Sequence, residues 1–236
     1  MNFLVIGHSV VDKIVDKKNI SIKPGGIYYT VISLLSQLNP GDKLYLCSSI
    51  DEKNEMFFKD AYNQIEKEFL VYVESIPNVE LVVNNGGERK ETYSRIGQNL
   101  MLPADDLYRF DGILINMISG YDISLDQLKQ LRKYYNGLIY FDVHTLSRGV
   151  DQSLNRDFKR IADFNQWAKC IDIIQANEAE LLTMSDQNEE AVIIEELFSH
   201  GIRQIIITRA KRGATVLSIM VKAISGEIQL EAGSSI

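Results

Sequence analysis

The stretch CIDIIQANEAELL, residues 170–182, runs from a mostly apolar segment at 171–174 to Asn177 within three positions. A helical pattern carrying Glu180 follows. This order predicts a buried strand that delivers an amide and a carboxylate, at positions i and i+3, to the first turn of a helix. Taken alone, the pair reads as a capping box, with Asn177 capping the helix and Glu180 reaching back to it. A second role has to come from the rest of the chain.

That chain has 236 residues, 45% of them hydrophobic, which is enough for one large core. Its 25 Lys and Arg against 32 Asp and Glu give a formal charge of −7. Broad nucleic-acid binding needs a basic face that displaces counterions, so it is not expected. No apolar stretch is long enough for a membrane helix, and the start MNFLVIGHSVVD lacks the features of a signal peptide. Cys47 and Cys170 stand alone at the edges of apolar runs, as buried reduced thiols do. The expected location is the cytoplasm.

Working outward from 170–182, short apolar runs alternate with helical patterns. Strands are predicted at 3–6, 44–47, 70–73, 113–117, 138–141, 171–174 and 204–208. Helices are predicted at 27–38, 54–69, 125–135, 158–168, 178–184 and 190–200. Strands that are apolar throughout, alternating with helices, indicate an α/β protein with a mostly parallel sheet covered on both faces. Two polar segments break the alternation. Residues 13–22 and 79–96, the second with a hairpin signal at Asn85-Gly86-Gly87, cannot sit in a doubly covered sheet and are assigned to a small separate lid.

Several chemistries are excluded by spacing. Gly7 is not followed by the further glycines of a dinucleotide turn, and no P-loop occurs. His8, His144 and His200 lack metal-ligand spacing, and His200 lies near a helix C-terminus, where a capping role is the default. Nothing resembles a nucleophile elbow. What remains is the pair Gly25-Gly26 at a helix start, which lets backbone approach a ligand closely. Asp12 could accept hydroxyl donors, and the basic turn 209–212 could face phosphates. Each of these also has an ordinary structural explanation.

In order and spacing, five segments resemble the ribokinase-like (PfkB) family of carbohydrate and nucleoside kinases: VIGHSVVDKIV, KPGGIYYTVISLLSQL, the hairpin with Gly87-Glu88-Arg89, NEAELL and IIITRAKRGATVL. The resemblance implies a three-layer α/β/α sandwich with a small β lid, and phosphorylation of a sugar or nucleoside by ATP with Mg2+. It implies substrate contacts from Asp12, Gly25, Gly26 and Thr30, with Arg89 or Arg95 contributing from the lid. It implies nucleotide contacts from Asn177, Glu180, Thr208 and Gly213, with Glu180 reaching the metal through water, since magnesium keeps much of its hydration. A homodimer through the lid strands is a further implication.

The chain departs from the family pattern at several places. Thr30 stands where asparagine is usual, Ala210 replaces a glycine of the nucleotide loop, and His144 in FDVHTLSR replaces an asparagine. Tyr93 and Arg95 resemble lid contacts to sugar acids. After two further strands, at 215–220 and 227–230, the family's Gly-Ala-Gly-Asp segment is expected, and EAGSSI (231–236) stands in its place. No general base for the acceptor hydroxyl is therefore assigned, and catalysis is expected to be impaired. A non-catalytic protein that binds sugar or nucleotide is the alternative.

Overall fold

The computed structural model describes residues 1–16, 19–83, 90–103, 105–221 and 228–232. In chain order its elements are β1 (Asn2–Ile6), β2 (Ser9–Asp16), β3 (Asn19–Gly26), α1 (Ile27–Leu35), β4 (Lys43–Ile50), α2 (Glu55–Tyr62) and β5 (Leu70–Tyr72). Next come β6 (Asn78–Val83), β7 (Lys90–Arg95), β8 (Gly112–Asn116), α3 (Leu125–Tyr134), β9 (Leu138–Asp142), β10 (Arg148–Val150) and β11 (Arg156–Phe158). The last are α4 (Phe164–Ala168), β12 (Ile173–Asn177), α5 (Glu178–Leu181), α6 (Glu190–Ser199), β13 (Gln204–Thr208), β14 (Ala214–Val221) and β15 (Ile228–Ala232).

Nine strands form the central sheet in the order β15-β14-β13-β12-β9-β8-β1-β4-β5. From β13 through β5 the pairing is parallel, and β14 and β15 add on antiparallel. The polar segments make a separate four-stranded sheet, β3-β2-β6-β7, as the break in alternation predicted. The hairpin signal at 85–87 and Arg89 lie outside the described residues.

Alternate residues of the parallel strands face two different cores. On one side Ile113, Ile115, Ile139, Phe141, Ile174, Ile205 and Ile207 pack against Leu128 and Leu131 of α3, Trp167 of α4, Leu181 of α5 and Ile193 and Leu197 of α6. On the other side Val5, Leu44 and Leu46 pack against Ile27 and Val31 of α1 and Phe58 and Tyr62 of α2. This second layer is short. Tyr140, Ile173, Ile206 and Val216 point to the same side, are half-buried and belong to neither core. Among the described residues no helix covers them, so strands that are apolar on both faces are covered twice only around β1, β4 and β8.

Four predicted helices end or begin at least three residues inside their patterns, α1 by stopping at Leu35. The segment 54–69 is helical only in α2, because the chain then leaves the helix to bond β4, with Glu66 N–H donating to Leu44 O at 2.8 Å. The segment 158–168 is helical only in α4; its start belongs to the β10–β11 hairpin, which the sequence did not suggest. The helix predicted at 178–184 keeps one turn, α5, before Thr183 and Met184 close tighter turns on Glu180 and Leu181. Both cysteines are buried and free. His200 lies at the C-terminal cap of α6, with Nε2 3.7 Å from Glu196 Oε1.

Candidate active site

Where the chain leaves β1 of the central sheet and enters the lid as β2, a cleft of about 260 Å³ opens against the carboxyl ends of β8 and β9. Ligands of open α/β sheets bind outside the carboxyl ends of their strands. Asp12 on β2 is half-buried and lines the cleft. Its carboxylate lies so close to β3 that a Cβ at Gly25 would sit 2.3 Å from one of its oxygens. Gly26, at φ +62°, caps α1; a Cβ there would meet His8 O at 2.6 Å. The first N–H of α1, from Ile27, is taken by that same His8 carbonyl at 3.1 Å. The Gly-Gly pair thus gives Asp12 its room and turns the chain into the helix.

Thr30 lies one turn into α1, and its Oγ1 accepts a hydrogen bond from Asn116 Nδ2 at 3.1 Å. Asn116, at the end of β8, places its side-chain amide on the cleft wall beside Thr30. Arg156 on β11 enters the same cleft, stacks 3.9 Å from the centre of the Tyr93 ring and donates to Ile118 O at 3.3 Å. Its Nη1 is 3.4 Å from Glu91, and both side chains are nearly buried. Neither Asn116 nor Arg156 lies in a recognisable motif. Only the strand end holding Asn116 could have been read from the sequence. Arg95 departs from expectation: it is exposed, does not line this cleft, and faces a different cavity beyond the root of the lid.

Asn177 and Thr208 end the adjacent strands β12 and β13 as register partners. The capping box forms as read, with Glu180 N–H donating to Asn177 Oδ1 at 2.9 Å and Asn177 N–H donating to Glu180 Oε2 at 2.8 Å. Glu180 is buried, and its Oε1 lies 3.8 Å from His144 Nδ1. Gly213 (φ +83°) closes the turn after β13, with Arg209 N–H donating to its carbonyl at 2.8 Å. Ala210 holds φ +49° where a glycine was expected, a conformation that costs an L-residue about 1–2 kcal/mol. The basic turn differs from expectation: Arg209 pairs with Glu178 at 2.7 Å and with Glu190, and Arg212 pairs with Glu178. Those carboxylates neutralise the two arginines that were to face phosphates.

Asp142 joins the two halves. It ends β9, is the register partner of both Asn116 and Gln175, and accepts from Gln175 Nε2 at 3.3 Å. Burial pushes its carboxyl up to about 6, with Glu180 adding to the rise and His144 opposing it. For the His144 imidazole burial acts downward, but the nearby carboxylates of Glu180 and Asp142 outweigh it and hold the group above its ordinary value. His144 keeps φ +32°, a strained backbone at the cleft floor.

A carboxyl raised in the fold disfavours folding once ionised, so its penalty grows as pH rises from the ordinary value of 3.8 through about 6 and is complete above it. Asp142→Asn is therefore expected to stabilise the protein by roughly 1–3 kcal/mol at neutral pH and by little below pH 4. Denaturant unfolding of both proteins at the two pH values checks this, and an equal gain at both would rule out the buried charge as its cause.

Magnesium prefers oxygen ligands and keeps most of its water. No cluster of three or more His, Cys, Asp or Glu able to hold a metal occurs among the described residues. A single buried carboxylate, Glu180, fits an ion held mainly by water and phosphate.

The sheet order, the lid and the cleft between them define the ribokinase-like α/β fold. Solved structures of that fold superpose over nearly the whole chain. A pyrophosphate-dependent kinase in the ribokinase family, complexed with a pyrophosphate analog and myo-inositol, aligns with a TM-score of 0.69 at 17% identity, covering 98% of this chain and 78% of that one. Ribokinase from Thermotoga maritima aligns at 0.67 and 13% identity, covering 100% and 78%. An E. coli protein described as a ribokinase II, in complex with ATP and Mg2+, aligns at 0.67 and 14%, covering 100% and 79%. No family model matches the sequence, and no curated protein does.

Proposed function

We propose that this protein binds a small polyhydroxylated acceptor, a sugar or related polyol, in the cleft under the lid and a magnesium-bound phosphate donor at the ends of β12 and β13. The chemistry is phosphoryl transfer to an acceptor hydroxyl. The observation that carries this reading is the juxtaposition of Asp12, Thr30 and Asn116 in one cleft with the Asn177–Glu180 box two strands away. Asp12 accepts two acceptor hydroxyls. Thr30 and Asn116 orient the ring, and Arg156, paired with Glu91 and stacked on Tyr93, holds the cleft wall. Asn177, Thr208 and the Gly213 turn hold donor phosphates, and Glu180 holds magnesium water. The bound ion would neutralise charge on the transferring phosphoryl group.

Among the described residues, the carboxylates lining the cleft are Asp12, Glu91 and Asp142. None follows a glycine turn whose N–H groups could gather an oxyanion. Turnover is therefore expected to be about 10²–10⁴-fold below that of an enzyme of this fold with a general base in place. ATP is the expected donor, and the kinship in fold with pyrophosphate-dependent kinases makes pyrophosphate the second donor to assay. A homodimer formed through the lid strands and a cytoplasmic location complete the proposal.

The deciding test incubates the chain with ATP–Mg2+ or pyrophosphate–Mg2+ and a panel of pentoses, hexoses, inositols and nucleosides, and detects the phosphate ester. Slow, acceptor-dependent ester formation supports the kinase reading. Binding without any ester would establish a non-catalytic sugar- or nucleotide-binding protein instead.

A further inference from the structure

A second cavity, about 350 Å³, lies beyond the root of the lid and shares no residue with the acceptor cleft. Its floor is the carboxyl end of β4, where Ser48 and Ser49 stand, and the remaining walls are two chain segments. Residues 71–77 run from β5 into β6 and residues 95–101 run out of β7, so both wall segments are the hinges of the lid. Buried His8 fixes the outgoing hinge to the sheet, its Nε2 2.9 Å from Gln98 O.

Two opposite charges face this cavity. Arg95 and Glu74 both line it and are exposed, and among the described residues neither has an ion-pair partner. Ser75 and Asn99 add neutral polar groups, and Val71, Val73 and Leu100 give an apolar wall. A guanidinium captures a carboxylate in a two-pronged bond, and a carboxylate captures an ammonium. The volume lies at the small end for ligand sites.

We propose that this hinge cavity is an effector site for a small zwitterion of the α-amino-acid type. Arg95 takes the carboxylate, Glu74 takes the ammonium, and a short side chain lies on Val71, Val73 and Leu100. Because the ligand would bridge the two hinges to β4, its binding orders the lid. The site needs no assumption about phosphoryl transfer.

The test is thermal unfolding of the full chain with L-alanine, L-serine or L-leucine, and with propionate and ethylamine as single-charge analogues. At least one amino acid is expected to raise Tm where neither analogue does. Arg95→Gln and Glu74→Gln, at exposed positions that leave the fold intact, should each weaken that response about tenfold or more. Hydrogen exchange in β6 and β7 should slow when the amino acid is present. Asp12→Ala should leave the response unchanged, so failure here is read separately from failure of the kinase proposal. No response to any of the three amino acids, an equal response to propionate, or an undiminished response in both variants would overturn the assignment.

Discussion

Asp12→Ala is expected to abolish acceptor binding while leaving the protein folded. The carboxylate is half-buried at the cleft wall, set against Gly25. A hydrogen bond to a charged group contributes about 1.5–3 kcal/mol, so losing two weakens binding on the order of a hundredfold or more. Asp12→Asn keeps the size and loses the charge, and should fall between. Gly25→Ala should reproduce the effect with Asp12 still present, because a Cβ 2.3 Å from an Asp12 oxygen would force the carboxylate out of its place. Calorimetric titration of the acceptor into each variant checks the series. Unchanged affinity in Gly25→Ala would show that the carboxylate can move without cost to binding.

The largest loss of stability is expected from His8→Ala. His8 Nδ1 lies 3.1 Å from Asp122 Oδ1, and the two side chains are 2% and 0% exposed. For His8 burial acts downward, yet the charge and hydrogen bond of Asp122 hold the imidazole above its ordinary value. For Asp122 burial acts upward, yet His8 and the backbone N–H groups of His8 and Ser119 hold the carboxyl below its ordinary value. Breaking a buried ion pair costs about 3–5 kcal/mol because it strands a charge. Asp122 would keep donors from His8 N, Ser119 N, Ser119 Oγ and Gly120 N, which sets the cost at the lower end.

Adding Asp122→Asn to His8→Ala should recover part of the loss, since the stranded charge is gone. The pH dependence follows from the two directions. The His8 contribution is full below the ordinary imidazole value of 6.5 and is lost as pH rises through the raised folded value. The Asp122 contribution is full above the ordinary carboxyl value of 3.8 and is lost as pH falls through the lowered folded value. The gap between wild type and His8→Ala should therefore be widest in mildly acidic to neutral solution and should narrow at alkaline pH. Chemical unfolding across pH measures it, and a gap that widens with alkali would contradict the pairing.

Much of this fold was legible because strand and helix periodicities differ and the strands are short, apolar and bounded. The strands β12 and β13 followed from two such runs, and the lid followed from strands too polar for a buried sheet. Helix ends were less legible. At Asn63 and Gln64 no strong breaker stops the pattern, and only bonding to β4 ends α2. The hairpin at β10 and β11 was missed because three-residue strands carry no periodic signal.

The site divides in the same way. Asn177, Glu180, Asp12 and the Gly-Gly pair are local features, each set by a strand end or a helix start that the pattern marks. Arg95 was placed wrongly because alternation along β7 says nothing about where the strand leaves the lid. Asn116, Asp142 and Arg156 reach the cleft from three separate elements, so only the tertiary fold unites them. The unmet apolar face of β9, β12 and β13 is also tertiary, since its residues read as an ordinary doubly covered sheet.

The most direct test of the central claim is thermal unfolding of wild type and Asp12→Ala with a panel of sugars, inositols and nucleosides, with no phosphate donor present. A ligand that binds the native state alone raises Tm. At least one polyol is expected to stabilise wild type, and Asp12→Ala to lose the response. Equal stabilisation of both proteins, or no response to any polyol, would contradict the placement of the acceptor under the lid.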